Sequence, residues 1–293
     1  MHFQISLLLI CIAAVIKCVP AKNVVVFGGS GAVGSEVVKA VLGEEDFFDE
    51  VFLVGRQTSF EKIDKLISST DEVKATVTRI NLARVEDITT DASIARADAC
   101  IIALGDSAPH LDSLRKWLSV EVDLIRNIAE FCNKVQAKSI SLLSAVDVEN
   151  ESAVSFTSDE IASYGEGALG WINMILLYNR VKGLEEKSVL EGAENVRYIR
   201  LFQPNTIVTE QPRYGWVDAT LFRLHKILDP YLPERYHSVD VELLGKAMVA
   251  DTKRKLMEHE DIASFRDVAT LTYRDYVTVV GDISQERQRD DEL

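Results

Sequence analysis

The sequence predicts an α/β fold, a parallel sheet covered by helices on both faces. Short apolar runs alternate with helical patterns along the chain, and a glycine-rich turn joins the first run to the first helix. No Pro/Gly/Ser-rich linker, charge block or repeat divides the 293 residues, and 47% hydrophobic content is enough for one large core. Together these features describe a doubly wound parallel sheet of the Rossmann type, a single domain over residues 22–293.

The first element is the run Val24 to Phe27, too short and too apolar for anything but a buried strand. It enters Gly28-Gly29-Ser30-Gly31-Ala32-Val33-Gly34, with GxxGxxG spacing. Gly28 permits the tight turn, Gly31 lets the backbone approach a pyrophosphate, and Gly34 allows the following helix to pack closely. That helix carries Val33, Val37, Val38, Val41 and Leu42 on one side and aims its first N–H groups at an anion. A dinucleotide held by Gly28, Ser30, Gly31, Ala32, Val33 and Gly34 is the expectation.

Val51 to Val54, Ala75 to Ile80 and Asp98 to Leu104 read as strands two to four. Leu111 to Lys134 is helical, with Leu114, Trp117, Leu118, Val122, Ile125, Ile128, Ala129 and Cys132 recurring at helical spacing. Ser139 to Leu143 is the fifth strand, a long helix covers about Leu169 to Leu190, and Val196 to Phe202 is the sixth strand. About ninety residues follow, with helices expected near Ala219 to Ile227 and Asp240 to Ala250, and these form a small C-terminal substrate lobe from about residue 205. In such a sheet ligands bind at the carboxyl ends of the strands, so the glycine turn, Arg56, Leu104, Gly105 and Ser144 should converge on one crevice.

A formal charge of -14 argues against nucleic acid, which needs a clustered basic face. Ile5 to Ile16 is almost unbroken in apolar character and ends in Lys17-Cys18-Val19-Pro20-Ala21, the pattern of a signal peptide over residues 1–21. Cleavage after Ala21 or after Cys18, or retention as a signal anchor, are the alternatives. The tail Asp290-Asp291-Glu292-Leu293 is a variant of the KDEL/HDEL retrieval signal, and with the leader it directs the chain to the endoplasmic reticulum lumen or secretory pathway. Asn150-Glu151-Ser152 is an N-glycosylation sequon. Cys100 in a strand and Cys132 on a helix read as small buried hydrophobes.

The chemistry is carried by four positions. Arg56 ends the second strand where an NAD site usually has an acidic residue, and an Arg there pairs with a 2′-phosphate, which favours NADP(H). Tyr178 and Lys182 stand four apart on a helix, on one face. The ammonium and an oxidised nicotinamide favour the phenolate, so Tyr178 is the expected acid/base for hydride transfer to or from a small carbonyl or alcohol. Lys182 would also hold the nicotinamide ribose. Ser144, ending the fifth strand, is placed to hydrogen-bond the substrate oxygen and stabilise developing charge. No metal-ligand pattern accompanies them.

In this order GxxGxxG, the strand-end Arg, Leu142-Leu143-Ser144 and YxxxK resemble an atypical short-chain dehydrogenase/reductase, and most nearly the Tat-interacting-protein-like oxidoreductase group. Val54-Gly55-Arg56, Ala103-Leu104-Gly105, Val120 to Glu130 and Leu228-Asp229-Pro230 to His237-Ser238-Val239 extend the likeness over roughly residues 23 to 250. The resemblance implies NADP(H) binding, with Ser144, Tyr178 and Lys182 at the catalytic positions. Ala145 stands where relatives carry a second Ser, and Gln203-Pro204-Asn205 where they have Arg-Pro-Gly. Val146 to about Gly167 is longer than in relatives and would form either a lid or a surface loop. An NADP(H)-sensing regulatory protein on the same fold, acting on a protein partner, is the alternative; a nucleotide-sugar epimerase ranks lower because the C-terminal lobe is short.

Overall fold

The computed structural model describes residues 22–44, 46–68, 74–82, 87–88, 93–105, 113–148, 150, 153–162, 170–209, 225–258 and 265–291. The leader therefore lies outside the described residues, as do Glu292 and Leu293 of the tail. No described helix is long and apolar enough to cross a membrane.

The chain begins in the middle of its sheet. Strand β1 (Lys22–Phe27) pairs in parallel with β2 (Phe48–Gly55), which pairs with β3 (Thr76–Asn81); the path then returns across β1 to β4 (Ala99–Ile102), β5 (Ser139–Leu143) and β6 (Tyr198–Phe202). A seventh strand, β9 (Asp267–Leu271), adds in parallel to β6, giving the order β3-β2-β1-β4-β5-β6-β9. The direction reverses between β1 and β4, and a crevice opens there beyond the carboxyl ends of the strands.

Alternate residues of each strand feed two cores. Val24 and Val26 face α1 (Ala32–Leu42), α2 (Gln57–Ser68), α7 (Val241–Met257) and α8 (Tyr273–Asp291). Val25 and Phe27 face α4 (Ile125–Lys134) and α6 (Gly170–Gly192). Cys100 and Cys132 are unpaired and buried in that second core, as small hydrophobes would be.

Two features depart from the sequence-based expectation. The helix expected without interruption to Lys134 is α3 (Leu114–Leu118), a π-helical segment Ser119–Leu124, and then α4. After Phe202 the chain does more than build a lobe. A two-stranded pair, β7 (Ile207–Val208) with β8 (Val239–Asp240), and two 3₁₀ turns form the peripheral part, whereas α7, β9 and α8 return to the main sheet. Of the helix expected near residues 219–227, only residues 225–228 are described, and they are helical.

Candidate active site

The glycine turn is fixed by sterics. Gly28 is left-handed (φ 82°), and a Cβ there would stand 2.6 Å from the Ala103 carbonyl oxygen. Gly31 N–H donates to the Gly28 carbonyl at 2.9 Å, and a Cβ on Gly34 would lie 2.0 Å from the same oxygen, so helix and turn touch backbone to backbone. Gly31 caps α1 in an extended conformation with no side-chain cap. Gly31, Ala32 and Val33 therefore bring the uncapped first turn of α1 to the wall of a crevice of about 280 Å³.

Leu104, Gly105, Ser144, Tyr178 and Lys182 line the same crevice. Gly28 and Gly34 stand behind it. Ser30 and Arg56 are not on its wall, but register places Arg56 beside the turn, because Val54 pairs with Phe27. Arg56 is exposed and makes no ion pair among the described residues.

Helix α6 supplies most of the chemistry. Tyr178, Lys182, Glu185 and Glu186 follow one another at i, i+4, i+7 and i+8, so all four share a face. Tyr178 stacks on Trp117 of α3, with centroids 6.0 Å apart. The π-helical segment carries Glu121, almost wholly buried, to the Lys182 ammonium: Glu121 Oε2 lies 2.6 Å and Glu185 Oε2 2.7 Å from Nζ. Lys182 and Glu185 are themselves 3% and 0% exposed.

Burial, with the carboxylates of Glu121 and Glu185, outweighs the pull of Lys182 toward the expected phenolate and holds the Tyr178 phenol above its ordinary range.

Ser144 is also differently engaged. Its Oγ–H donates to Glu186 Oε1 at 2.5 Å; Gln203 Nε2 donates to the same oxygen and Asn150 Nδ2 to the other, each at 2.9 Å. A hydroxyl has one hydrogen, so Ser144 offers the crevice lone pairs rather than the donor expected for developing charge. The donor available for that task is the Tyr178 hydroxyl. Gln203 completes the Glu186 site.

The long segment after Val146 is fastened to α6 where it is described. Arg180 donates to the carbonyls of Val154 and Ser155, pairs with Glu160 and stacks over Phe156. Phe156 and Ile161 pack with Trp117 and Tyr178, so residues 153–162 buttress the phenol from behind. None of them lines the crevice.

Glu121, Glu185 and Glu186 are absent from the sequence-based site. The i+4, i+7, i+8 spacing beyond Tyr178 would have pointed to the last two, whereas the π turn that aims Glu121 has no local sequence signature.

No protein-family model matches the sequence, and no curated protein matches it. Solved structures do. A short-chain type dehydrogenase/reductase from Mycobacterium ulcerans is 13% identical, with TM-score 0.56 over 87% of this chain and 90% of that one. The MalC reductase/Diels-Alderase from Malbranchea aurantiaca is also 13% identical, with TM-score 0.56 over 88% and 96%. MoeE5, solved with UDP-glucose and NAD, is 14% identical, with TM-score 0.50 over 90% and 82%. At these identities the likeness is one of fold, and it makes the chain a doubly wound, Rossmann-type α/β protein.

Proposed function

We propose that this chain is an NADPH-dependent carbonyl reductase of the short-chain dehydrogenase/reductase type, acting on a small carbonyl compound. The observation that carries the reading is the meeting of the glycine turn, Tyr178 and Lys182 in one crevice at the switch between β1 and β4. Burial, with Glu121 and Glu185, raises the Tyr178 phenol, and the protonated phenol is the form that can give a proton to a carbonyl oxygen.

The residues fit a nicotinamide dinucleotide. The glycines let the turn pack backbone to backbone against Ala103 and the start of α1, and α1 offers its uncapped N–H groups to a pyrophosphate. Lys182 has three N–H donors; one is given to Glu121 and the ammonium also ion-pairs with Glu185, which leaves donor capacity for a ribose hydroxyl. Arg56, exposed beside the turn, is free to pair with a 2′-phosphate. A bound reduced nicotinamide supplies the hydride. Tyr178 donates its proton to the substrate oxygen as negative charge develops there, and Ser144, held by Glu186, orients the phenol or the substrate through its lone pairs. Two of the similar structures are reductases and one was solved with NAD, which is consistent with this chemistry.

The test is turnover of NADPH with a carbonyl panel by wild type and Tyr178→Phe. Loss of about a hundredfold to ten-thousandfold with unchanged NADPH binding is expected. Arg56→Ala should weaken NADPH selectively and leave NADH unaffected. The commitment of the Ser144 hydrogen to Glu186 favours a second reading, an NADP(H)-binding regulatory protein. Tight NADPH binding with no turnover on any substrate would establish that one. We further propose residence in the endoplasmic reticulum; a cytosolic distribution of an internally tagged chain would refute it.

A further inference from the structure

Beneath the crevice one ammonium serves two carboxylates. Lys182 Nζ sits 2.6 Å from Glu121 and 2.7 Å from Glu185, and all three groups are out of water. With both acids ionised the group carries a net negative charge, and a third carboxylate, Glu186, lies next on the same helix. An uncompensated charge in such a place is costly, and the least costly relief is a proton on one acid. Glu186 is engaged elsewhere: Ser144, Asn150 and Gln203 all donate to its two oxygens. Glu185 is the holder, because neither of its oxygens has a hydrogen-bond partner among the described residues and the Lys182 ammonium 2.7 Å from Oε2 is shared with Glu121. Burial and the neighbouring Glu121 and Glu186 push the Glu185 carboxyl well above the usual range, against the pull of Lys182. The titratable groups facing it are Lys182, Glu121, Glu186 and Tyr178.

Lys182 lines the crevice, so the proton's environment is set by what enters. Gly105 forms the wall beside it, its missing Cβ position 3.7 Å from Nζ and 4.0 Å from Glu121 Oε1. A reduced nicotinamide is neutral, whereas an oxidised one brings a positive charge to a group that is neutral only while Glu185 keeps its proton. We propose that Glu121, Lys182 and Glu185 form a clamp that reads the redox state of a bound nicotinamide dinucleotide: the shared proton stays when the reduced form is seated and is released when the oxidised form is. The exchange is balanced, since one H⁺ leaves the Glu185 carboxyl for each cationic ring bound. Affinity for the oxidised form then rises by up to about tenfold per pH unit while that for the reduced form is flat, so the balance between the two forms is set by pH. This rests on the nucleotide reading of the crevice above.

The experiment is calorimetric titration of the full-length chain with NADP⁺, NADPH, NAD⁺ and NADH at pH 7, in two buffers of different ionisation enthalpy. Release approaching one proton per oxidised nucleotide and near none per reduced nucleotide is expected. Glu185→Gln should abolish the release and make oxidised-form affinity independent of pH, and Glu185→Asp should restore both. Equal release with both redox forms, no release from wild type, or release that survives Glu185→Gln would overturn the clamp alone. Absence of binding by all four nucleotides would remove the nucleotide reading and the clamp with it.

Discussion

Glu185→Gln should change how folding stability depends on pH, with no ligand present. In the folded chain the Glu185 carboxyl titrates well above its ordinary value, and in the unfolded chain it returns to that value. Between the two the native state holds a proton that the unfolded state has lost. Stability therefore falls as pH rises, by about 1.4 kcal/mol per unit for one proton. For a domain of this size each unit inside that window lowers the melting temperature by about 3–6 °C. Other shifted groups do not produce this slope. Asp229, Asp267, Glu242 and Glu160 have lowered values, so their contributions are complete above the unfolded carboxylate range and are lost only in acid. Tyr178, Tyr276 and Lys182 have raised values and lose their contributions only in alkali. The amide introduced by Glu185→Gln has no proton to release, and its oxygen can take the Lys182 contact. Urea melts of both proteins across the window, compared as a difference, cancel every shared titration. The variant should gain on wild type steadily with pH. Parallel profiles would show that Glu185 is ionised in the folded state and refute the charge argument.

Glu186→Leu should cost about 2–6 kcal/mol in a urea melt, since it orphans the buried donors of Ser144 and Gln203 along with Asn150, while Glu186→Gln costs much less because one amide oxygen can still accept from both; equal costs would refute the donor assignment. Gly34→Ala places a methyl 2.0 Å from the Gly28 carbonyl oxygen and should lose about 1–3 kcal/mol together with NADPH binding by calorimetry, whereas wild-type binding would show that the turn has room. Asn150→Gln should leave electrophoretic mobility unchanged after passage through the secretory pathway, because the wild-type amide is held by Glu186; an Endo H-sensitive band lost in the variant would show that amide to be outside.

The sheet was legible because its strands are buried on both faces. Val24 to Phe27 and Ser139 to Leu143 are runs that only a covered parallel strand explains, and the observed bounds of β1 to β6 fall within a few residues of the expected ones. β9 escaped because it is an edge strand. Asp267-Val268-Ala269-Thr270-Leu271 is half exposed, carries an aspartate engaged with Arg200, and has no continuous apolar signal. The π-helical segment escaped for a different reason: the helical spacing of Leu114 to Cys132 continues through it, so the apolar pattern does not set it apart from α-helix.

The candidate site divides along the same line. Steric demands of the backbone show in sequence, so the glycine turn appears at the residues expected. Electrostatic demands depend on which charges the fold brings together, and a Tyr four residues before a Lys does not disclose them. Glu121 is 61 positions from Lys182, and Glu186 is 42 from Ser144. These distant carboxylates bear on both expected groups: Glu121 and Glu185 add to burial in raising the Tyr178 phenol, and Glu186 accepts the Ser144 hydrogen. Neither effect can be read from the Tyr178–Lys182 spacing, because both depend on contacts made across the fold.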